Sequence, residues 1–138
     1  MLVVDEAAKR RGESNCPQTL MWAALLHDVG KPDTTRVRRG KLTSYDHERV
    51  GAELVRRFLS GFCMEQALTD RVYMLIRYHM QILFVIKDMP FADVKGMKEN
   101  TDVVEVALLG LCDRMGQLHS DLAAEEENIR RFMKKCGR

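Results

Sequence analysis

At 138 residues the chain has the length of one domain, enough to bury about two-thirds of the surface its unfolded form exposes. Apolar content of 46%, charged content of 30% and a formal net charge of +2 are those of a globular protein, and so small a charge gives no ground by itself for nucleic-acid binding. No stretch has the length of a membrane span, no apolar run opens the chain as a signal peptide would, and the four cysteines form no C-x-x-C pair, so a cytoplasmic protein with reduced thiols and no membrane partner is expected.

Residues 2–10 place Val3, Val4, Ala7 and Ala8 at helical spacing. No capping residue precedes them, so the apolar pattern runs off the N-terminus. Residues 11–16 read as a polar loop. A second helix is predicted over 17–29, with Pro17 in its first position and Asn15 or Cys16 as cap. Leu20, Ala23, Ala24 and His27 share one face of it. Gly30 is expected to close this helix in the left-handed conformation, and Pro32 to forbid its continuation. Residues 34–43 alternate around Arg39-Gly40 as a short hairpin would, and carry Arg36, Arg38, Arg39 and Lys41.

A helix over 45–59 follows, closed by Gly61 and capped by Thr43 or Ser44. Its predicted stripe is His47, Gly51, Leu54 and Phe58. The next helix, 65–80, has Leu68, Val72, Leu75, Ile76 and His79 on its apolar face. Residues 81–89 are a short apolar run of undecided class, and 90–98 a small helix begun by Pro90 and capped by Asp88. The helix over 101–119 sets Asp113 in line with Val106, Leu109 and Gly110. The last, 121–136, is highly charged, and only Leu122, Ile129, Phe132 and Met133 give it a core side. The expected fold is all-α: a single domain, residues 1–138, of about six helices with room for one small hairpin.

His27 with Asp28, His47, His79 and Asp113 are polar positions on otherwise apolar helix faces. Each alone has an ordinary explanation. An inward histidine finds a carbonyl, and an inward aspartate caps a helix or joins an ion pair. Five such groups on four helices suit a divalent metal, because imidazole nitrogen and carboxylate oxygen together bind manganese, iron, cobalt, nickel or zinc. Mixed His/Asp donors with open positions point to a catalytic site rather than a structural one.

The stretches AALLHDVGKP, YDHERVGAELV, LIRYHM and LLGLCDRMG resemble the HD superfamily of metal-dependent phosphohydrolases, and within it the HD domain carried by bacterial CCA-adding enzymes (tRNA nucleotidyltransferases). The resemblance implies the all-helical HD fold. It implies that His27 and Asp28 are the paired metal ligands, Asp113 the closing ligand, and His47 and His79 the ligands of a second ion, with Asp28 bridging. It gives Asp28 and Lys31 catalytic roles, Lys31 lying near the substrate phosphate. By their placement, just after that turn and next to Asp113, Arg36 and Arg114 are candidate substrate contacts. The cofactor is then one or two divalent ions, magnesium included among the candidates. The substrate is a phosphate mono- or diester of a nucleotide, 2′,3′-cyclic phosphates included, hydrolysed by a metal-activated water.

One departure stands out. The family's first ligand is a histidine in the opening helix, and none of His27, His47, His79 and His119 precedes the HD pair. The resemblance around VVDEAA puts that histidine just ahead of Met1, so the expectation is a chain that starts partway into its domain and has weak metal retention and low activity. The alternatives are an HD module that has lost its chemistry and binds RNA or a protein partner, a fragment of a tRNA nucleotidyltransferase, and a nucleotide-signal hydrolase. The hairpin cations either grip phosphate or blunt an exposed strand edge. Cys112 reads as packing and His119 as a surface residue.

Overall fold

The computed structural model describes residues 2–43, 46–62, 65–117 and 119–137. Among these, nine α-helices follow one another along the chain with one two-stranded hairpin between the third and the fourth, and the expected all-α class holds. Helix α1, Leu2–Arg10, leads through a single 3-10 turn, Arg11–Glu13, into α2, Pro17–Leu26. After the turn at 27–30 come the four-residue α3, Lys31–Thr34, and the antiparallel strands β1, Arg36–Arg38, and β2, Lys41–Thr43. Then follow α4, His47–Ser60; α5, Gln66–Arg77; α6, Gln81–Ile86; α7, Val94–Asn100; α8, Val103–Met115; and α9, Leu122–Lys135.

The longer helices form where apolar residues recur at helical spacing, and the extra ones are short. The undecided run after His79 contains α6. Pro90 lies ahead of α7 rather than in it, and that helix is capped by Asp93, which accepts from the Gly96 amide, instead of by Asp88. Helix α8 is buried on nearly every side, from Val103 through Cys112, which makes it the axis of the domain. Helices α1, α2 and α9 pack against it, and α4 packs on α5. The small side chains Ala7, Ala23 and Ala52, all fully buried, let the helices approach closely around Leu20, Ile76, Leu109 and Phe132.

The turn after α2 departs from expectation. Gly30 is right-handed, with φ −78° and ψ −12°, and Pro32 stands in the first turn of α3, where proline is tolerated. The chain is glycine there because of packing rather than conformation. A Cβ on Gly30 would lie 2.5 Å from the Gly51 amide nitrogen and 2.9 Å from its Cα, and would collide with the His47 carbonyl. The HD turn therefore sits directly on the first turns of α4. The stripe of α4 is also rotated from the predicted one: Ala52, Val55 and Leu59 are buried, while Phe58 is 49% exposed and packs edge-on against Phe62. Helix α8 stops at Met115, and Leu122 at the start of α9 is exposed. Ser44, Tyr45 and Cys63, which entered the predicted cap, helix start and thiol count, lie outside the described residues. Cys16, Cys112 and Cys136 are free thiols.

Candidate metal centre

Helix ends position the site. His27 is the C-cap of α2, Asp28 begins the turn that follows, and Lys31 opens α3. His47 is the first residue of α4, His79 lies two residues past the end of α5, and Asp113 is in the last turn of α8. The fold thus brings together five side chains from four helix ends. All three imidazoles are buried, while the Asp28 and Asp113 side chains are 39% and 30% exposed.

Two donor groups result, and they share Asp28. His27, Asp28 and Asp113 form one, and Asp28, His47 and His79 the other, with the donor atoms of each group all within 4.8 Å of one another. In the first, His27 Nε2 stands 3.1 Å from Asp28 Oδ2 and 3.2 Å from Asp113 Oδ1. In the second, Asp28 Oδ1 is 3.5 Å from His47 Nε2 and 3.9 Å from His79 Nε2. The two oxygens of Asp28 are thus divided between the groups.

The protons can be placed from the partners. A carbonyl only accepts, so His27 Nδ1 donates to Ala24 O at 2.9 Å and His79 Nδ1 to Ile76 O at 2.6 Å. Both rings therefore present Nε2 to the centre. Burial works against a charge on His27, but hydrogen bonds to Asp113 and Asp28 outweigh it and push its pKa up to about 10. The imidazolium occupies the place between two carboxylates where a cation would sit. Burial likewise opposes charge on Asp28 and Asp113, yet the His27 cation lowers both, holding Asp28 well below the usual carboxylate range with Lys31 adding to the effect there. His79 is driven the other way, down to about 4, by burial and by the neighbouring imidazoles. A neutral His79 with its proton on Nδ1 must accept at Nε2, so His47 Nε2 donates across the 3.3 Å between them.

Lys31 Nζ is 3.2 Å from Asp28 Oδ2 and half exposed. The centre forms one end of a cleft of about 670 Å³, whose walls include Ile82, Leu83 and Ile86 of α6, Asp113, Arg114 and Gln117 from α8 onward, and Glu125, Asn128 and Ile129 of α9. Arg114 reaches it tethered by Glu125, with Nε 3.3 Å from Oε1. Arg36 is not among the lining residues; its guanidinium donates to the Thr35 carbonyl on the exposed hairpin. His119 is exposed, and burial raises the Cys112 thiol to about 11, as inert packing requires.

Three acids escaped the sequence reading. Glu48 is buried with Oε2 3.9 Å from His47 Nδ1, on the far side of that ring from the centre. Glu125 holds Arg114. Glu105 is buried under the loop between α1 and α2, where it accepts from Ser14 Oγ at 2.7 Å and from the Asn15 amide at 2.5 Å. Their helical position on the core side was the available signal. Helix α1, whose Val3 backs onto Gly116 at the end of α8, adds no imidazole to the centre.

A family model described as HD domain matches residues 2–115. The A-adding tRNA nucleotidyltransferase of Deinococcus radiodurans is 41% identical over 63 residues, which are 44% of this chain and 14% of that protein. The CC-adding tRNA nucleotidyltransferase of Thermus thermophilus is 41% identical over 69 residues, 49% of this chain and 16% of that protein. The chain spans about one-seventh of the length of these curated relatives.

Proposed function

We propose, from the premise that this chain belongs to the HD domain family, that it is a metal-dependent phosphohydrolase acting on phosphate mono- or diesters of nucleotides, 2′,3′-cyclic phosphates included. The observation that carries the reading is the shared carboxylate: Asp28 belongs to both donor groups, at the end of a cleft that also presents Lys31, Lys87, Arg114 and Arg131. The donor set fits one or two divalent ions. His27, Asp28 and Asp113 would hold one, and Asp28, His47 and His79 the other. Bound divalent ions supply Lewis acidity toward phosphate oxygens and bring the pKa of water towards neutrality.

The chain's own residues do the positioning. The carbonyls of Ala24 and Ile76 fix the rings of His27 and His79 with Nε2 inward. Once His47 Nε2 serves as a donor atom its proton moves to Nδ1, the side on which Glu48 stands. Lys31 carries its ammonium from Asp28 to a phosphate oxygen and offsets charge that builds there. Arg114, steadied by Glu125, offers a planar fork to a second oxygen. Ile82, Leu83, Ile86 and Ile129 give a nucleoside an apolar wall that excludes water. A cytoplasmic location belongs to this reading and is supported by the free thiols.

Hydrolysis of bis(p-nitrophenyl) phosphate and of 2′,3′-cyclic AMP with added manganese or nickel tests the reading. Asp28→Asn should abolish turnover and metal uptake together. Turnover that survives this substitution, or survives chelation, refutes it. A second reading, an HD module of impaired chemistry that binds RNA or a protein, is favoured by the first donor group, which among the described residues has a single imidazole. The names of the curated relatives extend that reading to part of a tRNA nucleotidyltransferase. It predicts metal bound without turnover.

A further inference from the structure

The cleft continues past the metal centre, and two helices show which way it runs. Helix α6 starts two residues after His79, and α9 holds Arg114 through Glu125 in its first turn. At their other ends the two helices meet. Lys135 Nζ, in the last turn of α9, lies 2.8 Å from Asp88 Oδ1 and 3.4 Å from the Val85 carbonyl. Both helices therefore begin at the metal end and run the same way. Each rises about 9 Å, α6 from Gln81 to its cap at Lys87 and α9 from Glu125 to Arg131.

Lys87 and Arg131 line the cleft at its far end. Arg131 stands one turn before Lys135 on the same face of α9, and Lys135 bonds the chain on either side of Lys87, so the two cations converge. Both are exposed, and neither has a carboxylate partner among the described residues. The nearest acids in the chain are already engaged. Glu127, one turn before Arg131, holds Arg130 at 2.8 Å; Asp88, next to Lys87, holds Lys135; Glu125 holds Arg114. A lysine at a helix C-terminus is ordinarily explained by the helix dipole. That accounts for Lys87 alone and does not bring an unpaired arginine from a second helix beside it. Ile82, Leu83 and Ile86 on α6, and Ile129 on α9, stand between these cations and the centre. The order along the cleft is thus imidazoles and carboxylates, an apolar wall, and two unpaired cations.

We propose that Lys87 and Arg131 form an anion subsite for a second, non-scissile phosphate, so that the cleft selects nucleotides phosphorylated at two separate positions. The planar fork of Arg131 suits two phosphate oxygens, and Lys87 adds a point charge. With one phosphate at the centre, the nucleoside lies along the apolar wall and its other phosphate meets the cations. Such remote contacts supply binding energy without touching the reacting atoms. This deepens the phosphohydrolase reading and rests on it for which phosphate is cleaved.

The test uses the full chain with manganese and two substrates that share one scissile group, 2′,3′-cyclic AMP and its 5′-phosphorylated form. Ring opening is followed by chromatography, and the readout is the ratio of the two kcat/KM values. The wild type should prefer the 5′-phosphorylated nucleotide by at least about tenfold, the worth of one charge-assisted hydrogen bond, mostly through KM. Lys87→Gln with Arg131→Gln removes both charges and should abolish the preference. Lys95→Gln with Lys98→Gln on α7, neither of which lines the cleft, should keep the wild-type ratio. A wild type without the preference overturns the proposal, as does a ratio that the Lys87 and Arg131 substitutions leave unchanged. An equal loss in the α7 control also overturns it, because a diffuse field and not a subsite is then at work. Calorimetric binding of the same two nucleotides separates this proposal from the reading beneath it. A preference that depends on Lys87 and Arg131 in a chain without turnover supports the subsite and sinks the hydrolase reading. Turnover without the preference does the reverse.

Discussion

Substituting Gly30 by alanine tests how the fold fixes the centre. The backbone of Gly30 is right-handed, a conformation alanine adopts freely. Judged on chain entropy alone, Gly30→Ala would stabilise the protein by about 0.4–1 kcal/mol. The contact reverses the sign. The new methyl would lie 2.5 Å from Gly51 N and 2.9 Å from Gly51 Cα, besides meeting the His47 carbonyl. These are backbone atoms that cannot rotate aside, so α4 must move away from the HD turn. Overpacking of this kind costs about 3 kcal/mol, the upper end of its usual range. For a chain of 138 residues that is a fall in Tm of about 10 °C. The displacement has a second readout, because His47 moves with α4 and its 3.5 Å approach to Asp28 opens. Cobalt or manganese affinity should fall along with Tm. Gly12→Ala is the reference, since a Cβ there meets nothing within 4 Å, and it should stay within about 0.5 kcal/mol of wild type. The reasoning is refuted if Gly30→Ala melts with Gly12→Ala and binds metal as wild type does.

Three further outcomes follow from the charges. Without metal, the His27 contribution is complete below pH 6.5 and is lost as pH rises through about 10, because its folded pKa is raised. His79, lowered to about 4, acts oppositely: its contribution is complete above pH 6.5 and is lost as pH falls towards 4. The depressed carboxyls of Asp28 and Asp113 add a loss below pH 3.8. Urea midpoints of the EDTA-treated protein should therefore peak near pH 6.5 and fall on both sides, and a flat profile from 6.5 to 10 would contradict the His27 assignment. Metal loading must displace the His27 proton, so affinity at this group should rise about tenfold per pH unit from 7 to 9, with a calorimetric enthalpy that varies with buffer ionisation heat. Glu105→Ala removes the acceptor for Ser14 and Asn15 and should cost about 2–3 kcal/mol in chemical denaturation, with turnover of a small phosphodiester retained.

The centre was legible in the sequence where a polar residue interrupts an apolar face. His27, His79 and Asp113 fall in line with Ala24, Ile76 and Leu109, and period alone brings them inward. Period was less informative where a helix is apolar on only part of its surface. Phe58 looked like core on α4, but the burying stripe runs through Ala52, Val55 and Leu59, whose smaller side chains let α4 lie closer to α5. Buried acids were the least visible. Glu48, Glu105 and Glu125 carry no mark in the sequence because their partners, a ring nitrogen, a loop amide and an arginine, are distant in sequence or unremarkable beside them. Gly30 was assigned to the correct turn for the wrong reason, since its neighbour at Gly51 is visible only once α4 is in place.

The choice of imidazole at 27 and 79, and of carboxylate at 113, follows from where each stands on its helix. A helix C-terminus leaves carbonyls without amide partners and carries partial negative charge. His27 and His79 each stand at such an end and donate Nδ1–H to the carbonyl three residues back. One contact satisfies the acceptor, sets the tautomer and aims Nε2 at the centre. A carboxylate in either place could bind a cation but could not donate to that carbonyl, and would face the negative end of its own helix. Asp113 occupies just such an unfavourable place, in the last turn of α8 and largely buried. What offsets this is a positive charge held against its Oδ1. In the metal-free protein the His27 imidazolium supplies it. A divalent ion shared by His27, Asp28 and Asp113 would supply more, and would leave His27 neutral as a ligand must be. The position of Asp113 is therefore an argument, independent of the motif around His27, that this end of the cleft is built to hold a cation.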